Sequence, residues 1–262
     1  MKFTTESLEA VEAEAEEVLC ITVTTVVDNE VAMKGLGSVW GLSFYIEIEY
    51  PSRSEAILFD TGGSSQVFRH NAKKLGLNLA AVQALAFSHF HHDHFGAFET
   101  ALKMINRSNC VVYIPAPHKA IEETLAKMGV RSIVANDSQA VIYGVRTSGA
   151  LGPIKLREQG LVINAPEKGL VVITGCAHPG AFNLVKKAKQ VFPNRPVFAL
   201  IGGFHIKTKE DGQKLGKALK KLGLGLVSPC HCTSKDAKQG ILEIVGKEVY
   251  QQNGSGTKIT IQ

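Results

Sequence analysis

Residues 88–96 read SHFHHDHFG, placing four histidines and an aspartate within six consecutive positions. Imidazole nitrogens and a carboxylate together suit a borderline divalent ion such as zinc, manganese or iron, and mixed nitrogen and oxygen ligation leaves coordination positions open for water. In an extended or turning loop, residues two apart point to the same side. His89 and His91 can therefore grip one ion, while Asp93 and His94 turn towards a second position. His92 faces away as a spacer. The competing reading is a polar loop that is merely rich in histidine.

The elements around this stretch favour the metal. Short β-branched runs at 20–27, 42–50, 55–60 and 84–87 read as strands, and SSQVFRHNAKKLG reads as a helix that starts on capping serines and stops at Gly76. The second half repeats the style with strands at 110–115, 160–164, 170–174, 197–202 and 225–229. Its helices fall at 117–128, 180–191, 211–222 and 233–244. Histidines recur directly after strands: AFSHFHHDH, ITGCAHPG, LIGGFH and LVSPCHC. In layered α/β folds the sheet fixes where such loops begin, so strand ends carry the chemistry. No Pro/Ser-rich linker interrupts the chain, so one domain over 1–262 is expected, with an acidic helix at 1–18 and an insertion over one end of the sheet at 100–150.

Composition bounds the rest. With 262 residues, 45% hydrophobic and 20% charged, the chain can bury one sizeable core without disulfides. Cys20, Cys110, Cys176, Cys230 and Cys232 lack the density of a secreted disulfide framework and read as thiols. The first residues are acidic rather than basic and apolar, and no window reaches the roughly 18 uncharged apolar residues of a membrane span, so a cytoplasmic protein is expected. The net charge of +5 is modest. Lysines on the later helices read as a solvated face and not as a nucleic-acid surface. The oligomeric state stays open.

The spacing His89-Phe90-His91-His92-Asp93-His94 resembles the H-x-H-x-D-H signature of the metallo-β-lactamase superfamily, with ILFDTG (57–62) and TGCAHPG (174–180) in the matching order. The further segments LSFYIE, REQGLVI, IGGFH and SPCHCT are similar to one branch. Its members are generally labelled metal-dependent hydrolases of β-lactamase superfamily II, and many carry the name 7,8-dihydropterin-6-methyl-4-(β-D-ribofuranosyl)aminobenzene 5′-phosphate synthase. The resemblance covers roughly residues 20 to 235. It implies an α/β fold, an αβ/βα four-layer sandwich of two mixed sheets flanked by helices.

The resemblance also implies a ligand set. His89, His91 and His178 would hold one metal, and Asp93, His94 and His231 the other, with one or two divalent ions expected, zinc first and manganese or iron as alternatives. Asp60 would orient the ligand loop by hydrogen bonds. Many two-metal relatives carry a bridging aspartate after the strand that here ends IGGFH, where Phe204 and His205 stand instead. His205 is expected near the site, as ligand or substrate contact, and occupancy of the second position is left open. Cys230 and Cys232 are read as packing groups, although a C-H-C run also suits soft metals. Phe90 and Phe95 either pack or stack on a flat ring, and Pro179-Gly180 opens a helix whose N-terminus suits a phosphate.

The expected function is metal-assisted hydrolysis of an ester, phosphoester or related small molecule, the substrate phosphorylated or pterin-like, with Asp93 positioning the water and His205 beside the substrate. A di-iron oxidoreductase would be expected to carry glutamate where His91 stands. A non-catalytic metal-binding or sensor protein and a pterin-condensing enzyme are the remaining alternatives.

Overall fold

In the computed structural model, residues 17–262 are described; the acidic helix expected at 1–18 lies, over residues 1–16, outside them. Among the described residues thirteen strands form two sheets. The first has the order β13-β1-β2-β3-β4-β5-β6, from β1 (Cys20–Val27), β2 (Ser43–Glu49), β3 (Ser54–Phe59), β4 (Val82–Ala86), β5 (Val111–Ile114), β6 (Arg131–Val134) and β13 (Lys258–Ile261). The second has the order β12-β11-β10-β9-β8-β7, from β7 (Ala140–Ile142), β8 (Val145–Thr147), β9 (Leu161–Ala165), β10 (Gly169–Thr174), β11 (Val197–Gly203) and β12 (Leu226–Cys230).

Strand residues alternate between faces, and both faces of each sheet are buried, which is why the strands read as nearly continuous apolar runs. Ile46, Ile57, Val171 and Ile173 point into a core between the sheets. Their neighbours Tyr45 and Leu58 pack with Phe68, Leu102 and Leu125 on the outer side of the first sheet. Val172 packs with Leu184, Leu219 and Ile241 outside the second. Three helices therefore cover the first sheet: α1 (Ser65–Lys74), α3 (Phe98–Met104) and α4 (Lys119–Lys127). Another three cover the second: α5 (Ala181–Val191), α6 (Lys209–Lys221) and α7 (Lys235–Val245). The short α2 (His92–Phe95) lies inside the histidine stretch itself. The result is the four-layer αβ/βα arrangement. Truncating a central side chain such as Ile173 to alanine removes packing worth about 2–5 kcal/mol.

Residues 100–150 supply most of α3, then β5, α4 and β6 at one edge of the first sheet and β7 and β8 at one edge of the second. Of these, β5 is the strand read at 110–115, whereas β6, β7 and β8, of three or four residues without a continuous apolar run, carry too little periodicity to be read from sequence. The C-terminal β13 escapes for the same reason, yet it pairs with β1 from Ile21 to Thr24.

Candidate metal centre

The donors gather because their strands run the same way. β3, β4 and β5 are parallel, β10, β11 and β12 are parallel, and β1 points as β3 does because each is antiparallel to β2. The loops after β1, β3, β4, β10, β11 and β12 begin with Asp28, Asp60, Phe87, Gly175, Phe204 and His231, and they open together along one edge. Holding them there strains the backbone. Asp60, Ala177, His205 and His231 all adopt positive φ, between 48° and 58°, and only Asn194 does so elsewhere among described non-glycine residues. Such conformations cost of order 1–3 kcal/mol each and persist where surrounding contacts impose them.

One half of the cluster contains His89, His91 and His178. His89 is buried and turns Nε2 towards His91 Nδ1, 3.1 Å away. The Ser88 hydroxyl donates to Asp60 Oδ2 at 2.6 Å, so its oxygen is left to accept from His89 Nδ1–H at 2.9 Å. His178 packs against both rings, with centroids 4.6 and 5.0 Å from His89 and His91. Its Nδ1–H donates to Glu158 Oε2 at 2.8 Å. Glu158 is wholly buried and also accepts the backbone N–H groups of Cys176, Ala177 and His178. Burial alone would raise its carboxyl, but the His178 hydrogen bond, the His89 ring and those N–H groups outweigh it and hold the pKa at about 2.

The other half contains Asp93, His94 and His231. His94 donates from Nδ1 to Asp60 Oδ2 at 2.7 Å, and Asp60 takes two more hydrogen bonds from Ser88. Burial pushes the Asp60 carboxyl up, and the Ser88 donors oppose that shift. His231 donates from Nδ1 to Asn29 Oδ1 at 3.0 Å; Asn29 is oriented by its own amide, which donates to the His231 carbonyl. Buried Asp28 accepts the His231 backbone N–H at 2.9 Å. Asp93 Oδ2 lies 3.3 Å from His231 Nε2 and 3.7 Å from His94 Nε2. Burial would raise the Asp93 carboxyl, but His231 and His94 outweigh it and hold it well below the usual range.

These hydrogen bonds test whether a cation fits. With Nδ1 of His89, His94, His178 and His231 each donating, all four Nε2 atoms present lone pairs. His94 Nε2 and His231 Nε2 face one another at only 3.1 Å. Two lone pairs so close repel unless a positive charge lies against both. A proton serves poorly, since burial and the neighbouring rings lower the pKa of His94 to about 3 and that of His89 to about 2. A divalent ion held by lone pairs does not suffer that limit, so the donor set fits one.

The remaining residues sort by position. His92 is exposed and turns its ring towards Phe95, away from the donors. Phe90 and Phe95 meet edge to face and pack on the core outside the first sheet, so packing occupies them rather than stacking at the mouth. Exposed His205 stands 4.6 Å from His178, ring to ring. The Gly180 N–H at the start of α5 is already donated to Ala177. Four participants escaped sequence reading: Asp28, Asn29, Ser88 and Glu158. Glu158 had a signal, a charge in REQG beside an apolar strand, whereas only the fold brings Asn29 to His231. Trp40, exposed over 61% of its surface, lies 5.0 Å from the His231 ring.

Comparison with known proteins places this geometry among relatives. A family model described as the metallo-beta-lactamase superfamily matches residues 40–184, a span that includes His89, His91, Asp93, His94 and His178. A curated protein of Methanocaldococcus jannaschii, named 7,8-dihydropterin-6-methyl-4-(beta-D-ribofuranosyl)-aminobenzene-5′-phosphate synthase, is 28% identical over 78% of this chain and 84% of its own. Tm1679, a solved structure described as a metal-dependent hydrolase of the beta-lactamase superfamily, superposes with a TM-score of 0.70 at 24% identity, covering 92% of this chain and 99% of that one. The metallo-beta-lactamase fold protein YhfI of Bacillus subtilis follows at 0.61 and 14% identity, covering 92% and 100% of the two chains.

Proposed function

The chain belongs to the metallo-beta-lactamase superfamily, and from that premise we propose that it is a metal-dependent hydrolase of an ester, phosphoester or related small molecule. His89, His91 and His178 hold one divalent ion, and Asp93, His94 and His231 hold a second. The observation that carries this reading is the set of four Nε2 atoms turned to one place by the Nδ1 contacts with Ser88, Asp60, Glu158 and Asn29, with those of His94 and His231 only 3.1 Å apart. Zinc suits the donors best, with manganese and iron as alternatives.

When bound, such ions polarise a substrate oxygen and bring the pKa of water from about 15.7 towards 7. The chain's own residues do the rest. Asp60 and Glu158 accept the Nδ1–H groups of His94 and His178 and keep those imidazoles aimed, so they arrive as ligands without reorganisation. Asp93 is a carboxylate at every ordinary pH and is partly exposed beside the cluster, where it orients the attacking water by accepting its hydrogen bond. His205, exposed beside His178, contacts substrate.

A second reading rests on the Methanocaldococcus jannaschii relative: synthesis of a phosphorylated pterin compound. The exposed indole of Trp40 beside His231 favours a flat ring in either case. The test is chelation followed by reloading with zinc, manganese or iron, assayed against phosphodiesters, esters and lactones, and against the pterin and aminobenzene halves of the compound in that relative's name. Metal-dependent hydrolysis supports the first reading, and joining of the halves supports the second. Inactivity in both assays with intact metal loading leaves a binding or sensor protein.

A further inference from the structure

Cys176 Sγ lies within 4.8 Å of the ligand atoms of His89 and His178 and, equally, of those of His94 and His231. Among the described residues no other donor belongs to both groups. Its sulfur is 3.2 Å from His94 Nε2, the lone pair that already faces His231. The residue is buried, and its own N–H is held by Glu158 at 2.8 Å, so the side chain is fixed from behind like the imidazoles.

The strand beside it brings no rival. A Cβ at Gly202 would lie 2.1 Å from the Thr174 carbonyl, and one at Gly203 would lie 2.3 Å from the Gly175 carbonyl, so neither position has room for a side chain. Phe204 turns into the core outside the second sheet, anchored through its N–H to Thr233 Oγ1. His205 stands exposed at the rim. The end of IGGFH thus offers no atom between the two donor groups, and the close approach permitted by its glycines brings the Cys176 segment there instead.

We propose that Cys176 Sγ is a ligand shared by both metal positions, a thiolate joining the His89–His91–His178 set to the Asp93–His94–His231 set. The inference rests on the metal reading above. Binding forms the sulfur–metal bonds and releases the thiol proton to water. Each position then has four protein donors, and the sulfur biases the centre towards softer ions, zinc or iron over manganese. Cys232 does not share this role: its Sγ lies towards the Cys176 carbonyl and the His205 N–H, 3.6 and 3.3 Å away.

Cobalt(II) substitution of the chelated full-length protein tests this without an activity assay. The wild-type chain is expected to bind two equivalents and to show a near-ultraviolet thiolate-to-cobalt charge-transfer band. C176S should abolish the band and weaken binding of the second equivalent by at least the roughly 10–100-fold that even a residue behind the ligands contributes. C232S should keep the band. Cobalt bound with visible ligand-field bands but no charge transfer overturns the shared thiolate and leaves the metal reading intact. Survival of the band in C176S with loss in C232S overturns it in favour of a Cys232–His205 site. No cobalt bound at all overturns both. C176D separates ligand loss from misfolding: a carboxylate there should restore the second equivalent without restoring the band.

Discussion

The loop after β4 and the three loops of the second sheet arrive at the same cluster by different routes. The β4 loop delivers His89, His91, Asp93 and His94 within six residues, using one extended turn and the start of α2. The second sheet delivers Cys176 and His178, then His205, then His231, one strand end at a time. A local loop can set its donors by its own backbone. The second sheet depends on parallel register, and its loops show it: three of the four strained residues at the site, Ala177, His205 and His231, belong to them. Each side also has its own carboxylate, Asp60 behind the β4 loop and Glu158 behind the β10 loop.

Cutting the loop side should have the largest effect. Asp93→Ala is expected to lower turnover by about 10²–10⁴, the range for a positioned proton-handling group, while circular dichroism stays unchanged. Substantial residual activity would remove Asp93 from the mechanism.

Glu158 probes the second-sheet side through pH. Its folded pKa of about 2 lies below the ordinary glutamate value of 4.5, so in that window the unfolded chain binds more protons. The stability it contributes is present above about 4.5 and is lost as pH falls towards 2; the shift corresponds to about 3 kcal/mol. The lowered pKa values of His89 and His94 act in the same direction from the ordinary histidine value of 6.5 downwards. Denaturant titrations of metal-free protein should therefore show stability falling below pH 6.5, and Glu158→Gln should flatten the part between 4.5 and 2. An unchanged profile would mean Glu158 is not ionised in the fold.

Asn29→Ala should weaken one metal position about 10–100-fold, through the His231 ring alone, and leave the other untouched. Isothermal titration should then resolve two unequal equivalents; equal weakening would show that the two sides are not separable. The smallest effect belongs to Trp40→Ala, expected to raise KM about 2–10-fold with kcat unchanged, the scale of one ring–ring contact. A fall in kcat instead would place the indole in the chemistry and not in substrate stacking.

Much was legible before any fold was known. The strands of the two sheet centres read correctly because residues buried on both faces must be apolar. The α/β class followed from their alternation with helices, and the histidine stretch supplied, through residue type alone, the candidate donors of the proposed centre. Phe90 and Phe95 were ambiguous because a phenylalanine at a wall and one at a mouth have the same local sequence; here the neighbours Phe87, Phe98 and His118 claim them. The strands β6, β7, β8 and β13, at or next to sheet edges, were silent, each being short and without a continuous buried run.

What this chain's sequence determined by itself is the list of candidate donors on the β4 loop, since side chains two and four residues apart are placed by local backbone geometry. Only the tertiary structure decided which distant atoms meet them. Asn29 reaches His231 across 202 positions, Glu158 reaches His178 across 20, and Cys176 comes to His94 across 82. Such contacts are set by strand register and loop strain, and no spacing along the chain encodes them.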